Sequence, residues 1–123
     1  MANGNQGRAT RVALATNDGR RVNAHFGNSP YFVIADVTGS GFEIAETRAN
    51  GAAGGELAPK EHNQTRFDAA IALVSDCGAV IASKIGRASA SELQRRRMQA
   101  LEQSGSIEDL LAGYTKYLGK NGF

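Results

Sequence analysis

Residues 11–16, RVALAT, form a short apolar run that ends at Asn17-Asp18-Gly19, a sequence typical of a turn. This pattern predicts a buried strand. The next apolar run, YFVIADV at 31–37, is rich in β-branched and aromatic residues and predicts a second strand. Gly39-Ser40-Gly41 then predicts a tight turn, so that FEIAETR at 42–48 completes a hairpin.

The spacing of apolar residues becomes helical from about Thr65, which predicts a first helix. GAVIAS at 78–83 predicts another buried strand. Ser89 stands three residues before Glu92, the spacing of a capping box, and predicts a second helix that runs through Arg97. The apolar positions of the first helix are Phe67, Ala70, Ile71 and Val74.

MQALEQ at 98–103 predicts a weak strand, and Ser106 before Asp109 predicts the start of a third helix, which we expect to end at Gly119 and Gly122. Its apolar face is formed by Ile107, Leu110, Leu111, Tyr114 and Leu118. The order β-β-β-α-β-α-β-α predicts an α/β domain with a mixed five-stranded sheet covered by helices. We expect the first strand to lie centrally, between the hairpin and the two later parallel strands.

The composition fits one small domain. The chain has 123 residues, 41% of them hydrophobic, and a formal net charge of +2, too small to indicate a nucleic-acid partner. A single cysteine, Cys77, excludes an internal disulfide and suits a reducing compartment, so we expect a cytoplasmic protein with no membrane partner. We expect residues 1–10 to be an N-terminal tail, 11–118 the domain and 119–123 a C-terminal tail.

Three loops are expected to meet at one edge of this sheet. His25 follows the first strand, the glycine-rich loop 49–63 with His62 follows the third strand, and SKIGRA at 83–88 follows the fourth. These three strands run in the same direction, and ligands of open α/β sheets bind outside the carboxyl ends of strands. His25, His62 and the 83–88 loop can therefore converge.

The chemistry of these residues leaves several roles open. His25 could form part of a structural turn, act as a base or offer a lone pair to iron, zinc or copper, whereas His62 could equally be an exposed loop histidine with no role. Lys84 and Arg87 flank Gly86 before the second helix, where positive charge and backbone amides could hold an anion or simply form an exposed turn.

Cys77 precedes the fourth strand and is expected at the opposite edge of the sheet. A strand of about five residues at ~3.3 Å per residue separates the two edges by roughly 17 Å. Cys77 should therefore not share a mononuclear site with His25, and burial as a small apolar side chain is the simpler interpretation.

Two blocks of the sequence resemble the dinitrogenase iron–molybdenum cofactor biosynthesis family, which includes NifX-like carriers and the C-terminal domain of NifB. VALATNDGRRVNAHFGNSPYFVIADV, with its A-T-N-D-G turn and H-F-G, resembles the opening block, and LVSDCGAVIASKIGRAS resembles the second. SIEDLLAGY resembles the closing helix. The resemblance covers about residues 11–118.

The resemblance implies a ribonuclease H-like fold with helices on both faces of the sheet. It also implies a non-catalytic protein that binds an iron–sulfur or iron–molybdenum cofactor precursor transiently and carries it between donor and acceptor assembly proteins. His25 matches the histidine of the family's H-F-G, whereas Arg87 stands where many relatives carry proline or a small residue. Together with the residues of the converging loops, the cofactor-binding candidates are Asn17, His25, Phe26, Gly27, Lys84, Gly86 and Arg87. The metal-ligand candidates are His25, His62 and Cys77.

Two other functions stay open. One is a protein-interaction or regulatory module of the nitrogenase system that holds no cluster. The other is a metal-dependent nuclease, which needs carboxylates gathered around two metal ions. Asp18, Asp36 and Glu46 fall on or near the first three strands, but no spacing in the sequence brings them together.

Overall fold

The computed structural model describes residues 9–50 and 63–121, and the side chains of 9–50 and 68–120. The strands are β1 (Thr10–Thr16), β2 (Arg21–Val22), β3 (Tyr31–Thr38), β4 (Gly41–Ala49), β5 (Ala79–Ala82), β6 (Gln99–Glu102) and β7 (Gly105–Ser106). The helices are α1 (Asn63–Leu73), α2 (Arg87–Arg95) and α3 (Ile107–Asn121), with a 3-10 turn at Phe26–Asn28. None of the helices in these ranges is long and apolar enough to cross a membrane.

The main sheet has five strands in the order β4-β3-β1-β5-β6. β1 pairs antiparallel with β3 and parallel with β5, and β5 pairs parallel with β6. The prediction of a mixed sheet with a central first strand is therefore confirmed. The strand is central because it is apolar on both faces, and Val12, Ala13, Leu14 and Ala15 are all fully buried.

The predicted hairpin is also confirmed, with Gly39 and Ser40 joining β3 to β4. Ala45 is an extra residue in β4, since Ile44 pairs with Ala35 and Glu46 pairs with Ile34. Gly39 approaches the end of α3 so closely that a Cβ there would lie 3.1 Å from the Cα of Gly119. The hairpin turn and the last helix thus depend on two glycines.

Helices cover both faces of the sheet. On one face, Ala70 and Ile71 of α1, Val74 directly after it and Leu93 of α2 share a core cluster with residues of β1, β3 and β5. On the other face, α3 packs Ile107, Leu111 and Tyr114 against the alternate residues of the same strands. The helical spacing predicted for α1 is confirmed at Ala70, Ile71 and Val74, whereas the side chain of Phe67 is outside the described residues.

Three local features differ from the predictions. The capping box at Ser89 is wrong, because α2 already begins at Arg87 after Gly86 and ends at Arg95. The third helix passes through Gly119 and ends at Asn121, directly before Gly122, so Gly119 does not terminate it as predicted. The sequence patterns also missed β2 and β7, two-residue strands that pair with each other in a separate ribbon. The predicted cap at Ser106 is confirmed, since its hydroxyl accepts the Asp109 N–H at 3.0 Å.

Helix α2 ends in a Schellman motif that is built on an arginine. The Met98 N–H donates to the Leu93 carbonyl and the Arg97 N–H donates to the Gln94 carbonyl, both at 2.9 Å. Arg97 occupies the position that usually holds glycine, and its φ of 66° lies in the left-handed region. Burial of Leu93 and Met98 keeps the motif in place despite this strained backbone.

We expect Arg97→Gly to raise the free energy of unfolding by about 0.5–1 kcal/mol, because glycine adopts this backbone without steric cost. Denaturant unfolding followed by circular dichroism measures the change. Arg96→Gly is the matched control: its φ of −90° suits any residue, so glycine there should only destabilise the helix end. Loss of stability in Arg97→Gly would contradict this account of the motif.

Candidate functional site

His25 lies on a loop that backbone hydrogen bonds join to the exit of β5. The N–H of Ser83 donates to the Ala24 carbonyl at 3.1 Å, and the N–H of Phe26 donates to the Lys84 carbonyl at 3.0 Å. His25 and Lys84 form a parallel β-bridge between these two bonds. The backbone of His25 is thus held on both sides while its side chain is exposed.

Phe26 anchors this loop from inside the protein. Its ring is buried and packs against Phe32 with ring centroids 5.7 Å apart. Of the H-F-G residues, the histidine and glycine are therefore available at the surface, and Phe26 can reach a ligand only through its backbone. A Cβ added to Gly27 would meet open space, so no close packing demands glycine there.

The turn before His25 is fixed by side chains of its own. Asn17 donates two hydrogen bonds to Asn23, both at 2.9 Å: its backbone N–H donates to the Asn23 side-chain oxygen, and its side-chain amide donates to the Asn23 carbonyl. Asp18 accepts the N–H groups of Arg20 and Arg21, and these bonds lower the pKa of Asp18. Asn17 itself is exposed at the same edge as His25.

The far side of the loop is tied to the ends of β1 and β4. The buried hydroxyl of Ser29 accepts the Thr16 N–H at 3.0 Å and donates to the Tyr31 carbonyl at 2.6 Å. The buried Asn50 donates its side-chain amide to the Ser29 carbonyl at 3.1 Å. These bonds close the His25 loop into a rigid rim around the strand ends.

Lys84, Gly86 and Arg87 lie beside His25 and are all exposed, so the predicted meeting of the two loops is realised in the backbone. Gly86 caps α2 with an extended backbone and no side-chain cap bond, which leaves the first-turn N–H groups of the helix open. The loop is held from β6, where the Glu102 carboxylate accepts the Ile85 N–H at 2.8 Å.

Of the other two candidates, one lies outside the described residues and one lies away from this rim. His62 is outside the described residues, as is most of the 49–63 loop. Cys77 lies at the opposite edge, before β5, as the strand geometry predicted. Burial and the neighbouring Asp76 carboxylate raise the pKa of the Cys77 thiol to about 12, so it is protonated at neutral pH and packs with the core.

The opposite edge is organised by ion pairs centred on Asp76. Arg48 makes two contacts with its carboxylate, at 2.7 and 2.9 Å, and also donates to the Leu73 carbonyl at the end of α1. Arg11 contacts Asp76 at 3.3 Å and pairs with Asp36. Within residues 9–50 and 68–120, no three histidine, cysteine or carboxylate side chains are grouped as a metal site would need.

Sequence reasoning missed the residues that hold the rim. Glu102, Asn23 and Ser29 act through bonds to residues 6 to 17 positions away, and nothing in their immediate sequence marks them. A weak signal exists for Ser29, because a serine between Asn28 and Pro30 commonly bonds to a turn backbone. Glu102 carries no such signal, since its partner is set by the parallel pairing of β5 and β6.

Fold and rim together define a small α/β domain that presents one exposed imidazole, flanked by basic residues, at the ends of its central strands. Residues 8–117 match the family described as dinitrogenase iron–molybdenum cofactor. The chain belongs to this family, which supports a role in the biosynthesis of the iron–molybdenum cofactor of nitrogenase.

The comparisons with individual proteins agree with this assignment. The chain is 25% identical over 113 residues to Protein NifX of Sinorhizobium fredii (strain NBRC 101917 / NGR234), covering 89% of this chain and 71% of that protein. The crystal structure of PH0822 has a TM-score of 0.59 at 23% identity, over 85% of this chain and 89% of that one. That of mj0327 from Methanocaldococcus jannaschii has a TM-score of 0.59 at 12% identity, over 90% and 92%. These structures support the fold alone.

We expect Asp76 to make the stability of the protein depend on acid. Hydrogen bonds from Arg48 hold the pKa of Asp76 well below its ordinary value of 3.8, so its contribution is present above about pH 4 and is lost as the pH falls further. Because the side chain is 48% exposed, we expect Asp76→Asn to cost only about 1 kcal/mol at pH 7.

Thermal unfolding of both proteins between pH 7 and pH 2 measures this effect. The stability difference should be largest near pH 7 and should narrow below pH 4, as the wild type loses the contribution that the variant lacks. Glu108→Gln, at an exposed carboxylate, is the control and should leave the acid dependence unchanged. A constant difference down to pH 2 would contradict the assignment.

Proposed function

We propose that this protein binds an iron–sulfur or iron–molybdenum cofactor precursor transiently and carries it between nitrogenase assembly proteins, without catalysing a reaction on it. The observation that carries the proposal is the exposed imidazole of His25 on a loop whose backbone is bonded on both sides. Membership of the family supports the biosynthetic role, and the carrying step is our inference.

The chemistry of a single imidazole suits transient binding. A neutral imidazole donates one lone pair to iron without adding negative charge, and one ligand is easily exchanged for another. Backbone hydrogen bonds on both sides of His25 fix the position of its Cα, so little backbone freedom is lost when a cluster binds. Because the ring is exposed, an acceptor protein can reach the cluster directly. His62 stays a candidate second ligand, and Cys77 a less favoured one because of its place at the far edge.

Positive charge beside His25 suits an anionic cargo. Lys84 is next to His25 in the β-bridge, and Arg87 begins α2, where the open first-turn N–H groups add partial positive charge. These groups can balance the charge of a metal cluster without covalent ligation. The exposed Asn17 amide, which already donates one N–H to the Asn23 carbonyl, can add a hydrogen bond with its second N–H.

Partners and location follow from the same proposal. The donor and the acceptor of the cluster would be other assembly proteins, encountered in the cytoplasm. The ribonuclease H-like classification of the fold is also a proposal, supported by the strand order and the helices on both faces. A nuclease site receives no support from the carboxylates, because Asp36 and Glu46 face Arg11 and Arg48 while Asp18 lies at the other end of β1.

We expect His25→Ala to lose most of its cluster binding, because it removes the iron ligand while leaving the loop bonds in place. Isolated iron–molybdenum cofactor is titrated anaerobically into the protein, and charge-transfer absorbance that co-elutes with the protein in gel filtration reports binding. His62→Ala is titrated in parallel, since it removes the only other histidine of the chain. Its effect shows whether His62 is a second ligand.

Unchanged stoichiometry and affinity in His25→Ala would overturn the site assignment. If the wild type also binds no cofactor but still captures nitrogenase assembly proteins in a pull-down, the chain is an interaction module. A pull-down that is lost together with cofactor binding supports the carrier, because it means that partners recognise the loaded rim.

We expect the double variant Lys84→Gln/Arg87→Gln to bind the cofactor about tenfold more weakly, through the loss of electrostatic attraction. The effect should shrink as salt is raised from 0.05 to 0.5 M, because salt screens exposed charges. Arg95→Gln, an exposed arginine at the other end of α2, is the control and should leave affinity unchanged. Equal affinity of the double variant at low salt would remove these residues from the site.

A further inference from the structure

A groove of about 350 Å³ opens between α3 and the edge strand β6, on the face of the sheet opposite α1 and α2. None of the residues that line it belongs to the His25 rim. Leu101 and Leu110 form its apolar floor and wall. Tyr114 and Tyr117 stack with ring centroids 5.5 Å apart, and Gln99 contacts the hydroxyls of both. Tyr117 is 44% exposed, so the groove offers an aromatic surface to solvent.

β6 beside this groove has one unpaired edge in the described part of the chain. The N–H of Gln99 donates to the Gly78 carbonyl and the N–H of Gln103 donates to the Ala82 carbonyl, so these groups point toward β5. Because backbone groups alternate along a strand, the N–H and carbonyl groups of Ala100 and Glu102 point outward. The edge can therefore accept a further strand.

We propose that a second copy of this chain occupies this edge, pairing β6 with β6 in antiparallel orientation about a two-fold axis at Leu101. Ala100 of each copy then faces Glu102 of the other, and the four outward N–H groups find four outward carbonyls. Leu101 faces Leu101 in the closer, non-hydrogen-bonded position and closes the floor of both grooves. Gln99 faces Gln103 across the interface on the same side.

Other symmetric registers are less satisfactory. An axis at Ala100 would set Glu102 against Met98, whose N–H is already donated to Leu93 within its own chain. An axis at Glu102 would set two carboxylates directly opposite each other, which is repulsive. The register centred on Leu101 alone satisfies the outward groups and covers apolar surface.

The distribution of charge also favours a second, antiparallel copy. β6 is preceded by Arg97 and ends at Glu102, and α3 has Glu108 and Asp109 in its first turn. The acidic end of one copy therefore lies against the basic end of the other. In addition, Arg97 forms no ion pair with any residue in the described ranges, so its charge is available for this contact.

The assembly does not need the cofactor rim. The two-fold axis points the two His25 loops toward opposite edges of a continuous ten-stranded sheet, with both rings exposed. Loss of the dimer and loss of cofactor binding are therefore separate outcomes, and each proposal can fail without the other.

Sedimentation velocity of the full chain between 1 and 300 µM tests the proposal. We expect the wild type to reach twice the chain mass of 12.9 kDa. Leu101→Lys places two like charges on the axis and should raise the dimer dissociation constant at least about a hundredfold. Ile44→Lys introduces the same charge on the exposed face of the other edge strand, β4, and should leave the dimer intact.

Hydrogen exchange on the wild type gives a second readout that needs no variant. The amides of Ala100 and Glu102 should exchange more slowly as concentration rises, whereas those of β4 should not change. A wild type that is monomeric at 300 µM overturns the proposal. So does a dimer that survives Leu101→Lys in folded form, or one in which the β4 amides become protected instead.

Discussion

The candidate site depends on the backbone bridge that joins the His25 loop to the end of β5. Two hydrogen bonds, from the Ser83 N–H to the Ala24 carbonyl and from the Phe26 N–H to the Lys84 carbonyl, fix the backbone of this glycine-containing loop against the end of β5. The bridge is possible because β1 and β5 are parallel neighbours, so their exit loops leave the sheet side by side. The buried Phe26 side chain also anchors the loop to the core of the domain.

Much of this architecture could be predicted from the sequence because it is encoded in local apolar patterns. β1, β3 and β5 are continuous apolar runs, which is what strands buried on both faces require. The parallel direction of β1, β5 and β6 follows from the helices between them. A helix that crosses the sheet returns the chain to the edge where the previous strand began, so the next strand runs in the same direction. The β2–β7 ribbon escaped prediction because Arg21–Val22 and Gly105–Ser106 are too short to show a period. Arg97 escaped because glycine is the usual signal for its backbone.

The site divides in the same way. The meeting of His25 with Lys84 was predictable, because it needs only strand direction, and the separation of Cys77 follows from the same geometry. What could not be predicted is how the rim is held. Glu102 bonds the Ile85 N–H only because β6 lies in register beside β5, and that register is a property of the whole sheet. The burial of Phe26 likewise depends on Phe32, a partner on another strand.

The two edges of the sheet show opposite solutions to the placement of charge. At the Asp76 edge, arginines and carboxylates form ion pairs with each other, and these pairs join β1 and β4 to the segment after α1. At the His25 edge, Lys84 and Arg87 are exposed and the α2 N-terminus has no side-chain cap. Exposed cationic groups are well solvated, so they destabilise the free protein little. Their attraction to a bound anion becomes stronger once the anion displaces the surrounding water. The His25 edge therefore combines exposed positive charge, a backbone fixed by hydrogen bonds and the exposed imidazole of His25. This combination suits reversible binding of an anionic cargo, which a partner with a better ligand could then remove.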